Sequence, residues 1–119
     1  MKEIMIVDDN EDIRITLQFV LEEEGFKTIL AENGDDCLKK LEENSEKPDL
    51  ILLDIMMPGT PVSQVIDQIE DIKIVYLSAV GVSEEDKQKM LSNDKIIDFI
   101  EKPFDEEKLV EFIRKQVGE

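Results

Sequence analysis

Leu50-Ile51-Leu52-Leu53 is a purely aliphatic run that stops at a carboxylate, Asp54, and is followed at once by a turn-forming Pro58-Gly59. A short apolar run bounded by turn residues reads as a β-strand buried on both faces, as in a parallel sheet covered by helices. Asp54 then stands at the carboxyl end of a central strand, where open α/β sheets place their ligand crevices. Ile4-Met5-Ile6-Val7 is a second such run, and it ends in Asp8-Asp9. Two buried strands that both end in acid would gather three carboxylates at one edge of the sheet.

The rest of the chain fits around that pair. Strand-like runs cover 3–8, 27–31, 49–54, 72–77 and 96–100. Between the first two, Ile13, Leu17, Val20 and Leu21 recur at helical spacing over 11–24, and Gly25 supplies the stop. Asn33-Gly34 reads as a turn, and Cys37, Leu38 and Leu41 form the inner stripe of a helix over 35–44. Val62, Val65, Ile66 and Ile69 mark a short third helix. Ser83 reads as the N-cap of a helix over 84–92, with Glu84 and Glu85 in its favourable first turn. Asp105 begins a last helix carrying Leu109, Val110, Phe112, Ile113 and Val117, and Arg114-Lys115 close it in keeping with its dipole. Alternation of strand and helix with short connections predicts a parallel sheet with helices on both faces. Right-handed crossovers leave few topologies, of which the flavodoxin-like order 2-1-3-4-5 is the commonest for five strands and a Rossmann half-unit the alternative. The first sets strands 1 and 3 side by side and brings Asp8, Asp9 and Asp54 into one crevice.

Composition narrows the class of partner. A chain of 119 residues suits one domain, here 1–119. The formal net charge of −16 disfavours direct nucleic-acid binding, which needs a positive surface. The single cysteine, Cys37, rules out an internal disulfide and suits a reducing cytoplasm; it sits on an apolar stripe and reads as inert packing. There is no signal-peptide pattern and no apolar run of membrane-spanning length.

Carboxylates crowded together repel one another, and a hard divalent cation removes the conflict. Mg²⁺ prefers oxygen ligands and would also neutralise charge on an incoming phosphoryl group, so that Asp54 could act as the nucleophile. Lys102 ends strand 5 just before Pro103, and its ammonium suits a phosphate oxygen. Ser78 ends strand 4 with a hydroxyl that can donate to another. Taken singly these residues have bland readings: Asp8 or Asp9 as a helix cap, Asp54 as a solvated strand end, Ser78 as a turn residue, Lys102 as a surface charge, Phe99 as core. Their convergence on one sheet edge reverses the odds for all but Phe99, which stays even.

The motifs Val7-Asp8-Asp9, Leu52-Leu53-Asp54-Ile55-Met56-Met57-Pro58-Gly59, Leu77-Ser78-Ala79 and Glu101-Lys102-Pro103-Phe104, in this order and at these separations, resemble a response-regulator receiver domain of two-component signalling. The resemblance covers essentially the whole chain. It implies the (βα)5 flavodoxin-like fold, Asp54 as phosphoacceptor, and Asp9, Asp54 and the backbone carbonyl of Met56 as Mg²⁺ ligands, with Asp8 acting largely through water. It implies Lys102 as a catalytic residue, Ser78 and Phe99 as switch residues, and a cis Lys102-Pro103 bond. Such a domain accepts its phosphoryl group from a histidine kinase or phosphotransfer protein and catalyses only its own phosphorylation and dephosphorylation. It then alters the surface of helix 4, strand 5 and helix 5, as a monomer or a weak phosphorylation-dependent dimer, either standing alone or as a piece of a larger protein. Thr60-Pro61-Val62 departs from the Asp-Gly that relatives often carry, Ser92-Asn93-Asp94-Lys95 lacks the usual Ala-Gly, and Phe99 replaces the commoner Tyr, so switching there must work by packing.

Two other classes fit less well. An aspartyl-nucleophile phosphatase usually carries its second acid two residues after the nucleophile, where this chain has Met56. A flavodoxin-like FMN carrier needs a Ser/Thr/Gly-rich loop after strand 1 and aromatic stacking, yet Trp is absent and Tyr76 is the only tyrosine. Met56 and Val80 stand where relatives border the path of attacking water, and apolar side chains orient water poorly. A comparatively long-lived phosphoryl-Asp is therefore expected.

Overall fold

The computed structural model describes residues 2–44, 47–55, 59–78, 83–102 and 104–118, and at Ser78, Asp86, Lys87, Met90 and Leu91 it describes the backbone alone. The elements are β1 (Glu3–Val7), α1 (Glu11–Glu23), β2 (Lys27–Ala31), α2 (Gly34–Glu43), β3 (Leu50–Asp54), α3 (Val62–Asp67), β4 (Lys73–Ser78), α4 (Glu84–Leu91), β5 (Ile96–Glu101) and α5 (Glu106–Val117). All strand pairs are parallel and the sheet order is β2-β1-β3-β4-β5. The direct pairing of β1 with β3, from Ile4↔Leu50 to Val7↔Leu53, excludes the Rossmann half-unit.

Strand alternation sorts the core into two layers. On one face Met5, Val7, Ile51, Leu53, Ile74 and Tyr76 meet Cys37 of α2 and Val65 and Ile66 of α3. On the other, Ile4, Ile6, Leu50, Leu52, Val75 and Leu77 meet Leu17 and Leu21 of α1 and Leu109, Val110 and Ile113 of α5. Successive side chains of a strand point to opposite faces, so a strand covered on both sides must be apolar throughout its interior. That is why β3 is buried along its whole length, including Asp54.

Most boundaries fall within a residue of the sequence expectation, and the exceptions have local causes. Asn33 is more than a turn residue: its side chain accepts from the Asp36 N–H and caps α2, with Gly34 the first helical residue. The third helix ends at Asp67, but Ile69 stays buried under the following loop. In β5 the register slips between Ile74↔Ile96 and Val75↔Asp98, a bulge on an edge strand. Ile96 therefore packs on one face, whereas Ile97 and Ile100 pack on the other. Asp105 is the N-cap of α5, accepting from the Lys108 N–H, instead of its first residue.

Candidate functional site

β1, β3 and β5 all end at the same sheet edge, and each delivers a charged side chain there. Asp8 directly follows β1 and Asp54 closes β3; both are buried, at 0% and 3% exposure, and Asp9 beside them is exposed. One carboxylate oxygen from each of Asp8, Asp9 and Asp54 lies within 4.8 Å of the others. Lys102 follows β5, two strand places from β3. Strands lie about 4.8 Å apart, so the ammonium must cross about 10 Å over the end of β4 to reach β3 and Asp54, and Asp8 extends toward it from β1, one strand further. It does so: Lys102 Nζ donates to Asp8 Oδ2 at 2.8 Å and stands 3.5 Å from Asp54 Oδ2. A buried carboxylate is tolerable only when it is paired and hydrogen-bonded, and Asp8 is both.

Asp8 does not cap α1. Asn10 does, accepting from the Ile13 N–H at 3.2 Å. Asp8 is instead held from every side. Its N–H donates to the Ala31 carbonyl at 3.2 Å, its Oδ1 accepts from the Asn10 N–H at 2.9 Å, and its carbonyl accepts from Arg14 Nη1 at 2.7 Å. Neither Asn10 nor Arg14 was among the site residues expected from the sequence. The signal for Arg14 was available: it leads the stripe on which Leu17 and Leu21 are fully buried, and a cation on such a stripe needs a partner.

Ser78 is placed by its backbone at the end of β4, paired with Glu101 of β5. Phe99 is partly buried against the α2/α3 core layer and borders a groove of about 460 Å³ with Phe104, Leu109 and Phe112. Met56, Val80, Pro58 and Pro103, with the expected metal-binding carbonyl and the Lys102-Pro103 bond, lie outside the described residues. Thr60 has a visible role: its hydroxyl donates to Asp35 Oδ1 at 2.7 Å, tying the β3–α3 connection to the first turn of α2.

The arrangement is thus an oxygen-rich cluster faced by one ammonium at the mouth of a 2-1-3-4-5 sheet. The sequence profile of the response regulator receiver domain matches residues 4–114. The chain belongs to this family. Receiver domains are signalling switches of two-component systems, not classical enzymes, and they bind Mg²⁺ at an acidic pocket. This receiver domain is 39% identical, over an alignment 119 positions long, to the phosphate regulon transcriptional regulatory protein PhoB of Escherichia coli, covering 95% of this chain and 50% of that protein. It is 37% identical over 105 residues to the alkaline phosphatase synthesis transcriptional regulatory protein PhoP of Bacillus subtilis, covering 87% of this chain and 43% of that one. The chain therefore spans about half the length of these curated relatives. Among solved structures, the CheY-like receiver domain protein of Methanospirillum hungatei superposes with a TM-score of 0.82 at 32% identity, covering 98% of this chain and 94% of that one. A receiver protein of Burkholderia phymatum, at 19% identity and TM-score 0.86, supports the fold alone. Among the described residues, no helix is long and apolar enough to cross a membrane.

The residues present suit the ion. A hard divalent cation seeks oxygen donors and a site built from one or two carboxylates, and Asp8, Asp9 and Asp54 offer three oxygens in one place.

Proposed function

We propose that residues 1–119 form a single receiver domain that takes a phosphoryl group from a histidine kinase or phosphotransfer partner on Asp54. The observation that carries this reading is the reach of Lys102 over the end of β4 to Asp8 and Asp54, because it puts an ammonium opposite the oxygen that would attack. A carboxylate oxygen of Asp54 attacks phosphorus. The new O–P bond forms as the donor's P–N bond breaks, and the electron pair leaves on the imidazole. Asp8, Asp9, Asp54 and the Met56 carbonyl would hold Mg²⁺, which when bound neutralises charge on the phosphoryl oxygens. Lys102 would then follow the phosphoryl oxygens and leave Asp8. Ser78 would donate to the same group, and Phe99 would shift along the groove it borders, changing the α4/β5/α5 surface. The modification biases a two-state equilibrium.

The test is incubation with Mg²⁺ and acetyl phosphate followed by intact-mass measurement. One phosphoryl group is expected on the wild type and none on Asp54→Ala. No gain on the wild type, or equal gain on the variant, overturns the reading. Met56 and Val80 support slow hydrolysis. Installing polar groups there, Met56→Asn with Val80→Glu, is expected to shorten the phosphoryl lifetime.

The donor's landing place has its own support. Ile15 and Phe19, at 51% and 62% exposure, stand one turn apart on α1, the helix that leads out of the acid cluster. Exposed apolar side chains that adjoin one another offer a surface for a partner to cover. Phe19→Ser is expected to slow transfer from a phosphohistidine donor and to leave the rate with acetyl phosphate unchanged. The net charge of −16 keeps nucleic acid out of the list of direct partners. Output through a weak phosphorylation-dependent dimer, in the cytoplasm, completes the proposal.

A further inference from the structure

Asp8 and Asp9 are sequence neighbours, yet both carboxylates face one centre, with oxygens within 4.8 Å of each other and of Asp54. Neighbours in an extended strand point to opposite faces. The backbone must therefore leave the strand conformation between them, and β1 does end at Val7. Something has to hold that turned peptide. The Asp8 N–H still follows the sheet, bonded to the Ala31 carbonyl at 3.2 Å. The Asp8 carbonyl belongs to a residue with no exposed surface, and it accepts from Arg14 Nη1 at 2.7 Å, a charge-assisted bond from the second turn of α1. Arg14 is itself fixed from behind, because its N–H donates to the Asn10 carbonyl at 3.1 Å in the first helical bond of α1.

We infer that Arg14 is a positioning residue for the cation site: by gripping the Asp8 carbonyl it sets the Asp8–Asp9 peptide so that both carboxylates converge on one point. The inference rests on reading Asp8, Asp9 and Asp54 as that site. Two physical effects of Arg14 oppose each other, and their signs differ. As a cation beside an acid cluster it repels a divalent ion, so a purely electrostatic role predicts tighter binding once it is removed. As the holder of the peptide it preorganises the ligands, so a positioning role predicts weaker binding. Groups that orient metal ligands typically contribute about 10–100-fold to metal affinity.

The experiment is calorimetric titration of Mg²⁺ into the full chain, unphosphorylated, for the wild type, Arg14→Met, Arg14→Gln and Arg14→Lys, with thermal unfolding in chelator as the control. Both neutral variants are expected to unfold cooperatively without metal and to bind Mg²⁺ about tenfold more weakly. Arg14→Lys should recover part of the loss, since it keeps a donor and a charge but not the fork. Unchanged or tighter binding in the neutral variants overturns the inference and leaves the site assignment standing. Failure of both neutral variants to fold also overturns it, because the arginine would then serve the fold and not the site. No Mg²⁺ binding by the wild type overturns the site assignment and the inference with it.

Discussion

Lys102 and Asp8 show what a single pair can decide. The Asp8 carboxylate has no exposed surface and Lys102 bonds it at 2.8 Å, with the lysine side chain 21% exposed. The cation site and Lys102 therefore draw on the same carboxylate. Lys102→Met should destabilise the metal-free protein by about 3 kcal/mol, the low end for breaking a buried pair because one partner is partly solvated. It should also raise Mg²⁺ affinity, since the ion no longer displaces an ammonium, so the Mg²⁺-induced rise in melting temperature should exceed that of the wild type. Calorimetry and paired melts check both signs, and weaker Mg²⁺ binding would show that lysine and cation do not compete. Cys37 behaves as its apolar stripe suggests. Burial, aided by the neighbouring Asp36, pushes its thiol from 9.0 up to about 12, and its Sγ lies 3.6 Å from Met5 Sδ. The unfolded chain loses this proton first, so stability falls as pH climbs from about 9 toward about 12, by about 1.4 kcal/mol per pH unit at most. Burial raises Tyr76 in the same direction. Urea midpoints at pH 8 and pH 10 should drop less in Cys37→Ala than in the wild type.

Among the elements, α2 and α3 show how a short helix is packed into the fold. α3 is only Val62–Asp67, and it lies so close to the start of α2 that a Cβ on Gly34 would overlap Val65 Cγ2. The Thr60–Asp35 hydrogen bond fastens the same corner. Glycine is normally a poor helix residue, about 1 kcal/mol below alanine, so Gly34→Ala would stabilise an open helix. Here the stiff β-branched Val65 cannot swing aside, and overpacking should win by about 1–3 kcal/mol of net destabilisation. Adding Val65→Ala should return most of the loss, which thermal unfolding of the single and double variants will read. β5 is the other element whose detail escaped its pattern. An unbroken apolar run does not reveal a bulge, because either face accepts the extra residue.

Across the whole molecule the acidic excess is the dominant long-range force. A net charge of −16 on a chain of 119 residues repels itself in the compact state. Sodium chloride should raise the melting temperature by screening that repulsion. Magnesium chloride at matched ionic strength should raise it further by binding the folded state. That additional increment should vanish in Asp9→Asn while the sodium effect remains. Equal curves for the two salts in the wild type would mean that the acid cluster has no particular hold on the ion.

What the linear chain determined was periodicity and its interruptions. Aliphatic runs ending in Asp8 and Asp54, helical stripes such as Leu17 and Leu21, and the punctuation at Gly25 and Pro58-Gly59 fixed five strands and five helices, their sequence order and the acid-tipped edge. These are local properties, because burial on both faces must be written into every residue of a central strand. Tertiary structure decided which strands pair, that Lys102 reaches over β4 to Asp8, that Asn10 caps α1 while Asp8 faces inward, and that Arg14 grips the Asp8 carbonyl. Each of those depends on the distance between groups far apart in the chain or on the direction of a single turned peptide. Hydrophobic patterning is indifferent to both.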